Sequence, residues 1–270
     1  MGTVTLADSS GRSPREQLRE ILDGWRREHG QTRLPIDVVA LAAARGVRVA
    51  QVDANDWDGR VYVDDDGRVT VEVDARQAPV RQRFTVAHEL VHTAFPDFRR
   101  ERRHRVDADL ELAPFADARA EEEQLCDWGA SVLLMPDELT WSYRVDQGLR
   151  AVERLARDAH VSLEAAGLRL VERSAKPAVF LVADATSEGL RVRYARAREA
   201  GVLVPRGAPV DSGSALVRAA ASGRRERGVE PLPGGAERRF HVEASSYPVG
   251  RGGGTRERVL ALAWPSSAAD

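Results

Sequence analysis

Cysteine is almost missing from this chain of 270 residues: Cys126 stands alone. An internal disulfide is therefore excluded, and a reducing, cytoplasmic setting is expected. Long hydrophobic runs are missing too, which excludes a membrane-spanning helix, and the opening stretch MGTVTLADSSGRSPRE has no apolar segment of the secretory kind. Nor is there an excess of one charge. Against 42 acidic residues stand 40 basic ones, a net charge of −2, which argues against a general nucleic-acid binder. Nearly all of that basic charge is arginine. The length allows one large domain or two to three small ones, with a sizeable core.

What is present begins with RFTVAHELVHTAF, residues 83–95. Phe84, Ala87, Leu90, Val91 and Ala94 fall on one side of a helical wheel, so the stretch is predicted as a helix. Inside it, His88, Glu89 and His92 form HExxH. On a helix the two histidines sit one turn apart on the same face, where one tetrahedral Zn²⁺ can take both. Glu89 can then reach a water at that ion without binding the ion itself. The bland alternative is a partly buried helix with two surface histidines.

A third ligand is sought on a second helix. AEEEQLCDWGASVLLMP, residues 120–136, reads as one, stopped by Pro136. Glu123 and Asp127 share a face. That spacing suits a carboxylate that binds the ion and a second acid that takes the free N–H of a ligand histidine. Glu123 is therefore the expected ligand, with Glu121 and Glu122 as competitors. The competing explanation is an acidic helix start favoured by the macrodipole. Cys126 is expected to point away from the Glu123–Asp127 face as a packed thiol. Tyr143, a little further on, is a candidate oxyanion donor on sequence proximity alone.

Around these helices the chain reads as a compact α+β domain. Ser13-Pro14-Arg15-Glu16 looks like a helix start, followed by a stripe of Leu18, Ile21, Leu22 and Trp25. A second helix is predicted from Leu34-Pro35, with Ile36, Val39, Ala40 and Ala43 inward, then a strand from Val47. Residues 57–74 read as a meander whose turn, Asp64-Asp65-Asp66-Gly67, is a solvated hairpin and not a Ca²⁺ loop. The basic run at 99–105 reads as a loop edge. Residues 137–173 are helical, and LARDAHVSLEAAGLRL resembles a helix-turn-helix unit with Ser162 as a cap. Without net basic charge there, DNA binding is not expected. His160 and His241 are read as structural or surface residues. After a linker at 174–177, strands are predicted at 178–183, 190–197, 239–244 and 259–264, with one helix at 212–221. The glycines at 250–254 form a hairpin tip and no phosphate loop.

Together, RFTVAHELVHTAF, the later E-x-x-C-D-x-x-A-x-x-LLMP and the N-terminal LPIDVVALAAARGVRV resemble the ImmA/IrrE family of zinc peptidases over residues 15–172. The layout is nearest to its IrrE members. The resemblance implies a zincin-like metallopeptidase domain over 13–136, a helix-turn-helix-like segment over 137–173 and a GAF-like α/β sensor domain over 178–265, open to a small-molecule or other signal. It implies Zn²⁺, or Mn²⁺, held by His88, His92 and Glu123, with Glu89 as general base. It also implies a protein substrate: a helix-turn-helix repressor of the XRE or DdrO type, cut once to release stress-response genes. This chain departs from the commoner pattern at Cys126-Asp127, where Ala-Asn is usual, and at Gly129-Ala130, where Phe-Ala is usual. The rival reading is a regulator that binds a repressor without cutting it.

Overall fold

A capping box starts the first helix. In the structure, a computed structural model, Ser13 Oγ accepts the Glu16 N–H at 3.3 Å, and the Glu16 carboxylate accepts the Ser13 N–H at 2.7 Å. Each orphan donor is thereby satisfied, which stabilises such a terminus by about 1 kcal/mol. Helix α1 (Pro14–Glu28) follows, with Leu18, Leu22 and Trp25 buried. The structure describes residues 11–54, 56–95, 98, 103–105, 118–198, 201–235, 238–249 and 256–266. These divide into two compact units: Met1–Thr140 with Asp158–Ser162, and Trp141–Arg157 with Leu163–Asp270.

The second helix departs from its prediction. α2 (Val38–Ala44) begins after Asp37, whose carboxylate accepts the Ala40 N–H at 3.0 Å, and not at Leu34-Pro35. The cap sets the phase. Val38, Leu41 and Ala42 are buried, whereas Val39 is 49 % exposed and Ala40 and Ala43 also face solvent. The expected inward face is thus rotated by about one residue, or 100°.

Strands β1 (Val47–Val52), β2 (Gly59–Val63), β3 (Val69–Asp74) and β4 (Arg103–Arg105) form a sheet of order β1-β3-β2-β4. β1 runs parallel to β3, and β2 pairs antiparallel with β3, Val61 opposite Val71. The turn between β2 and β3 is closed by its own aspartate: Asp64 Oδ1 accepts from the N–H groups of Asp66 and Arg68 at 3.1 and 2.9 Å. Gly67 there has φ 77°, which only glycine adopts without strain. β4 falls in the basic run predicted as a loop edge; three residues are too short for an alternating pattern to show. Arg99 to Arg102 and residues 106–117 lie outside the described residues.

Helix α3 (Pro79–His92) lies against β2 and β3, α4 (Ala118–Leu134) against α3, and α1 against α4. A short helix α5 (Asp137–Thr140) ends this part of the chain. Gly129 of α4 stands where three helices meet. A Cβ there would sit 2.8 Å from Val91 of α3 and 3.1 Å from Leu18 of α1. The missing side chain lets three helices approach closely, and a phenylalanine would need a different packing.

In the second unit, helices α6 (Leu149–Ala159) and α7 (Leu163–Glu172) precede strands β5 (Val179–Thr186) and β6 (Gly189–Ala197). Helix α8 (Ala215–Ser222) and strands β7 (Glu226–Pro231), β8 (Arg239–Val249) and β9 (Arg256–Pro265) complete it. The strand order is β6-β5-β9-β8-β7, every pair antiparallel. Alternate residues of β5 point to opposite faces. Val179, Leu181 and Ala183 join Ala215, Leu216 and Ala219 of α8 in one core. On the other face Phe180 meets α7, where a Cβ on Gly167 would stand 2.2 Å from its ring. α7 packs on β5 and β6. β7 was not predicted, because ERGVEP carries one apolar side chain, Val229, among its polar ones. The glycines at 250–254 lie outside the described residues. No helix among the described residues is long and apolar enough to cross a membrane.

Candidate metal centre

From Thr85 to His92 every residue of α3 is buried. This helix has sheet on one side and α4 on another, so polar side chains in its last turns must find partners inside the protein. His88 and His92 are each 1 % exposed, which removes the surface-histidine alternative. Their Nε2 atoms lie 3.2 Å apart. The Glu123 carboxylate of α4 meets both: one oxygen is 3.1 Å from His88 Nε2 and the other 3.5 Å from His92 Nε2.

The spacing discriminates between a chance cluster and a ligand set. Donors about 2.0–2.1 Å from a tetrahedral Zn²⁺ stand about 3.3–3.4 Å from one another. The separations of 3.2, 3.1 and 3.5 Å lie within a few tenths of that value. Two imidazoles and one carboxylate therefore fit a single divalent ion, with a coordination position to spare. The Glu123 side chain is 37 % exposed, so the cluster reaches solvent on that side.

Charges follow from this geometry. Burial opposes a charge on His92, yet the Cys126 sulfur and the Glu123 and Glu89 carboxylates outweigh it and lift the imidazole to about 10. Burial likewise opposes the Glu123 carboxylate, but hydrogen bonds from His88 and His92 hold it well below the usual carboxylate range. Burial pushes the Cys126 thiol up. His92 thus holds positive charge by preference, and a bound cation would take the place of that proton.

The outer nitrogens are also engaged. Asp127 Oδ1 lies 2.9 Å from His88 Nδ1, the partnership its spacing from Glu123 suggests. Glu122, a competitor for the ligand role, reaches the far side of the other ring, 3.1 Å from His92 Nδ1. Glu121 is exposed in the first turn of α4. Glu89 is fully buried beside β2, where a Cβ on Gly59 would stand 2.2 Å from Thr85 and 3.2 Å from the Glu89 carboxylate. Glycine is required there by close approach.

One expectation changes. Cys126 does not turn away from the cluster: its sulfur lies 3.3 Å from His92 Nδ1. The reason is that α4 presents a broad arc to α3. Glu122 and Cys126 are spaced four apart, like Glu123 and Asp127, and that signal was available in the sequence. Tyr143 belongs to the second unit, buried with its ring under the Arg154 guanidinium. There too, His241 stacks on Trp264 at 5.8 Å. His160 is exposed and ends α6 with φ 53°.

Residues 42–171 match the family model of the peptidase M78, or IrrE N-terminal-like, domain. Over 118 residues the chain is 37 % identical to the radiation response metalloprotease IrrE of Deinococcus deserti, a match that spans 41 % of this chain and 38 % of that protein. A transcriptional regulator of Mycobacterium tuberculosis shares the fold, with a TM-score of 0.64 at 19 % identity over 92 % of this chain and 76 % of that one. Residues 42–171, which hold the two histidines and the carboxylate, are thus similar to the IrrE N-terminal-like domain of the ImmA/IrrE metallopeptidases, and the match spans well under half of the Deinococcus deserti protein.

Proposed function

We propose that the chain is a zinc-dependent endopeptidase that makes one site-specific cut in a helix-turn-helix repressor of the XRE or DdrO type, and so induces a DNA-damage or stress response. The observation that carries this reading is the meeting of His88, His92 and Glu123 within ligand spacing, with the Glu89 carboxylate on the same helix. The name of the Deinococcus deserti relative supports the stress-response setting.

In this reading His88 Nε2, His92 Nε2 and Glu123 hold Zn²⁺, or Mn²⁺ in its place, and Asp127 fixes the tautomer of His88 through Nδ1. The ion would lower the pKa of a water and polarise the scissile carbonyl. Glu89 takes the proton from the attacking water and delivers it to the leaving amine. Its burial against β2 keeps the carboxylate in one place, so proton transfer needs no search. The antiparallel sheet of the second unit serves as a GAF-like sensor of the activating signal.

The test is incubation of the purified chain with the purified repressor encoded beside it, with Zn²⁺ or Mn²⁺, and mass analysis of the products. One new pair of termini is expected, lost with a chelator and lost in Glu89→Gln. Cleavage that persists in Glu89→Gln overturns the assignment. Tight repressor binding without any cut favours the non-catalytic regulator.

A further inference from the structure

A second set of donors stands on the far side of the His92 ring. Cys126 Sγ lies 3.3 Å from Nδ1 and a Glu122 oxygen 3.1 Å from it. All three atoms fall within 4.8 Å of one another. His92 and Cys126 are buried, while the Glu122 side chain is 26 % exposed and gives a cation a way in. Around a tetrahedral ion with Zn–N about 2.0–2.1 Å and Zn–S about 2.3 Å, nitrogen and sulfur stand about 3.5 Å apart and nitrogen and oxygen about 3.3 Å. The observed edges lie within a few tenths of these.

A simpler account has Glu122 accepting the Nδ1–H, as carboxylates behind ligand histidines do. It explains the carboxylate and leaves the sulfur over. One N–H needs one acceptor, yet two donor atoms of different chemistry converge on this nitrogen. Imidazole can ligate through each of its nitrogens, and a thiolate beside an imidazole and a carboxylate selects borderline to soft cations.

We propose that His92 Nδ1, Cys126 and Glu122 form a second metal position for Zn²⁺ or a similar divalent cation, joined to the first through the His92 ring. It rests on the reading of His92 as a ligand given above. On loading, the thiol proton and the remaining ring proton leave to solvent; sulfur binds as thiolate, the ring bridges as imidazolate, and nothing is oxidised or reduced.

Cobalt is the probe, because thiolate ligation gives a sulfur-to-Co²⁺ charge-transfer band that nitrogen and oxygen ligands do not. Cys126 is the chain's single cysteine, so the band has one source. The full chain is expected to bind two equivalents of Co²⁺, with the band present. Cys126→Ala should lose the band and one equivalent. Glu122→Gln, a gentler change in a partly exposed side chain, should weaken that equivalent at least tenfold with the fold intact by circular dichroism. Glu123→Ala should lose the other equivalent and keep the band, which separates this proposal from the peptidase reading. One equivalent without a thiolate band, or titrations unchanged in Cys126→Ala and Glu122→Gln, overturns it.

Discussion

Two clusters in this chain are built from the same acids and do opposite things. In the first unit, Glu123 and Asp127 face the imidazoles of His88 and His92. In the second, Glu164 accepts from Tyr194, Tyr247 and Arg258, and Asp184 accepts from Arg258 and Arg193 at 2.8 and 3.0 Å. The difference lies in the partners. An imidazole can lose its proton and offer a lone pair, so its carboxylate can be shared with a metal ion. A guanidinium cannot be deprotonated in a protein and a buried phenol keeps its proton, so those carboxylates are committed. Acid density alone does not mark a functional site; what the acids face does.

The sharpest way to break this comparison is to cross the two clusters. Glu89→Gln should reduce repressor cleavage by about 10²–10⁴-fold while bound zinc, measured by mass spectrometry of metals, stays unchanged. Glu164→Ala should leave zinc content unchanged and destabilise the second unit by about 1–3 kcal/mol for each buried group left unsatisfied, because Tyr194 and Tyr247 lose their acceptor while Arg258 keeps Asp184. Denaturant melts followed by metal assay read both. If Glu164→Ala emptied the metal site, or Glu89→Gln unfolded the chain, the division into an open and a committed cluster would be wrong.

That division was half legible in the sequence. HExxH places two imidazoles and an acid on one helix whatever surrounds them, and the four-residue spacing of Glu123 and Asp127 gave their distinct partners. The hairpin at Asp64 and the cap at Ser13 were legible for the same reason: each is settled within a few residues. What was not legible depends on distant parts of the chain. The wheel of α4 taken alone turns Cys126 away, whereas the face that α4 packs on α3 takes in Cys126 as well, 3.3 Å from His92 Nδ1, with Gly129 and Val91 in close approach beside it. Pro35 suggests the start of α2, but the side chain of Asp37 caps the helix and sets its start. β4 and β7 are strands because a neighbour pairs with them, not through any pattern of their own. The second cluster was not anticipated, since Glu164, Asp184, Tyr194, Tyr247 and Arg258 meet only when α7 covers the sheet.

Within the first cluster, the outer partner can be tested against the inner one. Asp127→Ala should weaken zinc by about 10–100-fold, as removal of a partner behind a ligand histidine does. Competition with a chromophoric chelator reads this directly; unchanged affinity would mean that Asp127 contributes nothing to the orientation of His88. Gly59→Ala probes the wall behind Glu89. Its new methyl would fall 2.2 Å from Thr85, so α3 or β2 must shift. A stability loss of about 1–3 kcal/mol is expected, with turnover falling and zinc retained. A variant as stable and active as the parent would show that Glu89 does not depend on that wall.

The smallest effect separates the clusters by pH. In the committed one, burial and the Glu164 carboxylate both raise Tyr194 and Tyr247, against a lowering influence from Arg258. An unfolded tyrosine ionises near pH 10. A phenol whose folded pKa lies above that value binds its proton more tightly in the native state, so its contribution is fully present below about pH 10. As pH rises further the unfolded chain releases its protons first, and stability falls by at most about 1.4 kcal/mol per pH unit for each tyrosine. The denaturation midpoint of the second unit should therefore drop between pH 10 and 11, and drop less in the Tyr194→Phe, Tyr247→Phe double variant. Equal slopes in parent and variant would mean that these phenols ionise as freely in the fold as outside it, and that the cluster is not closed.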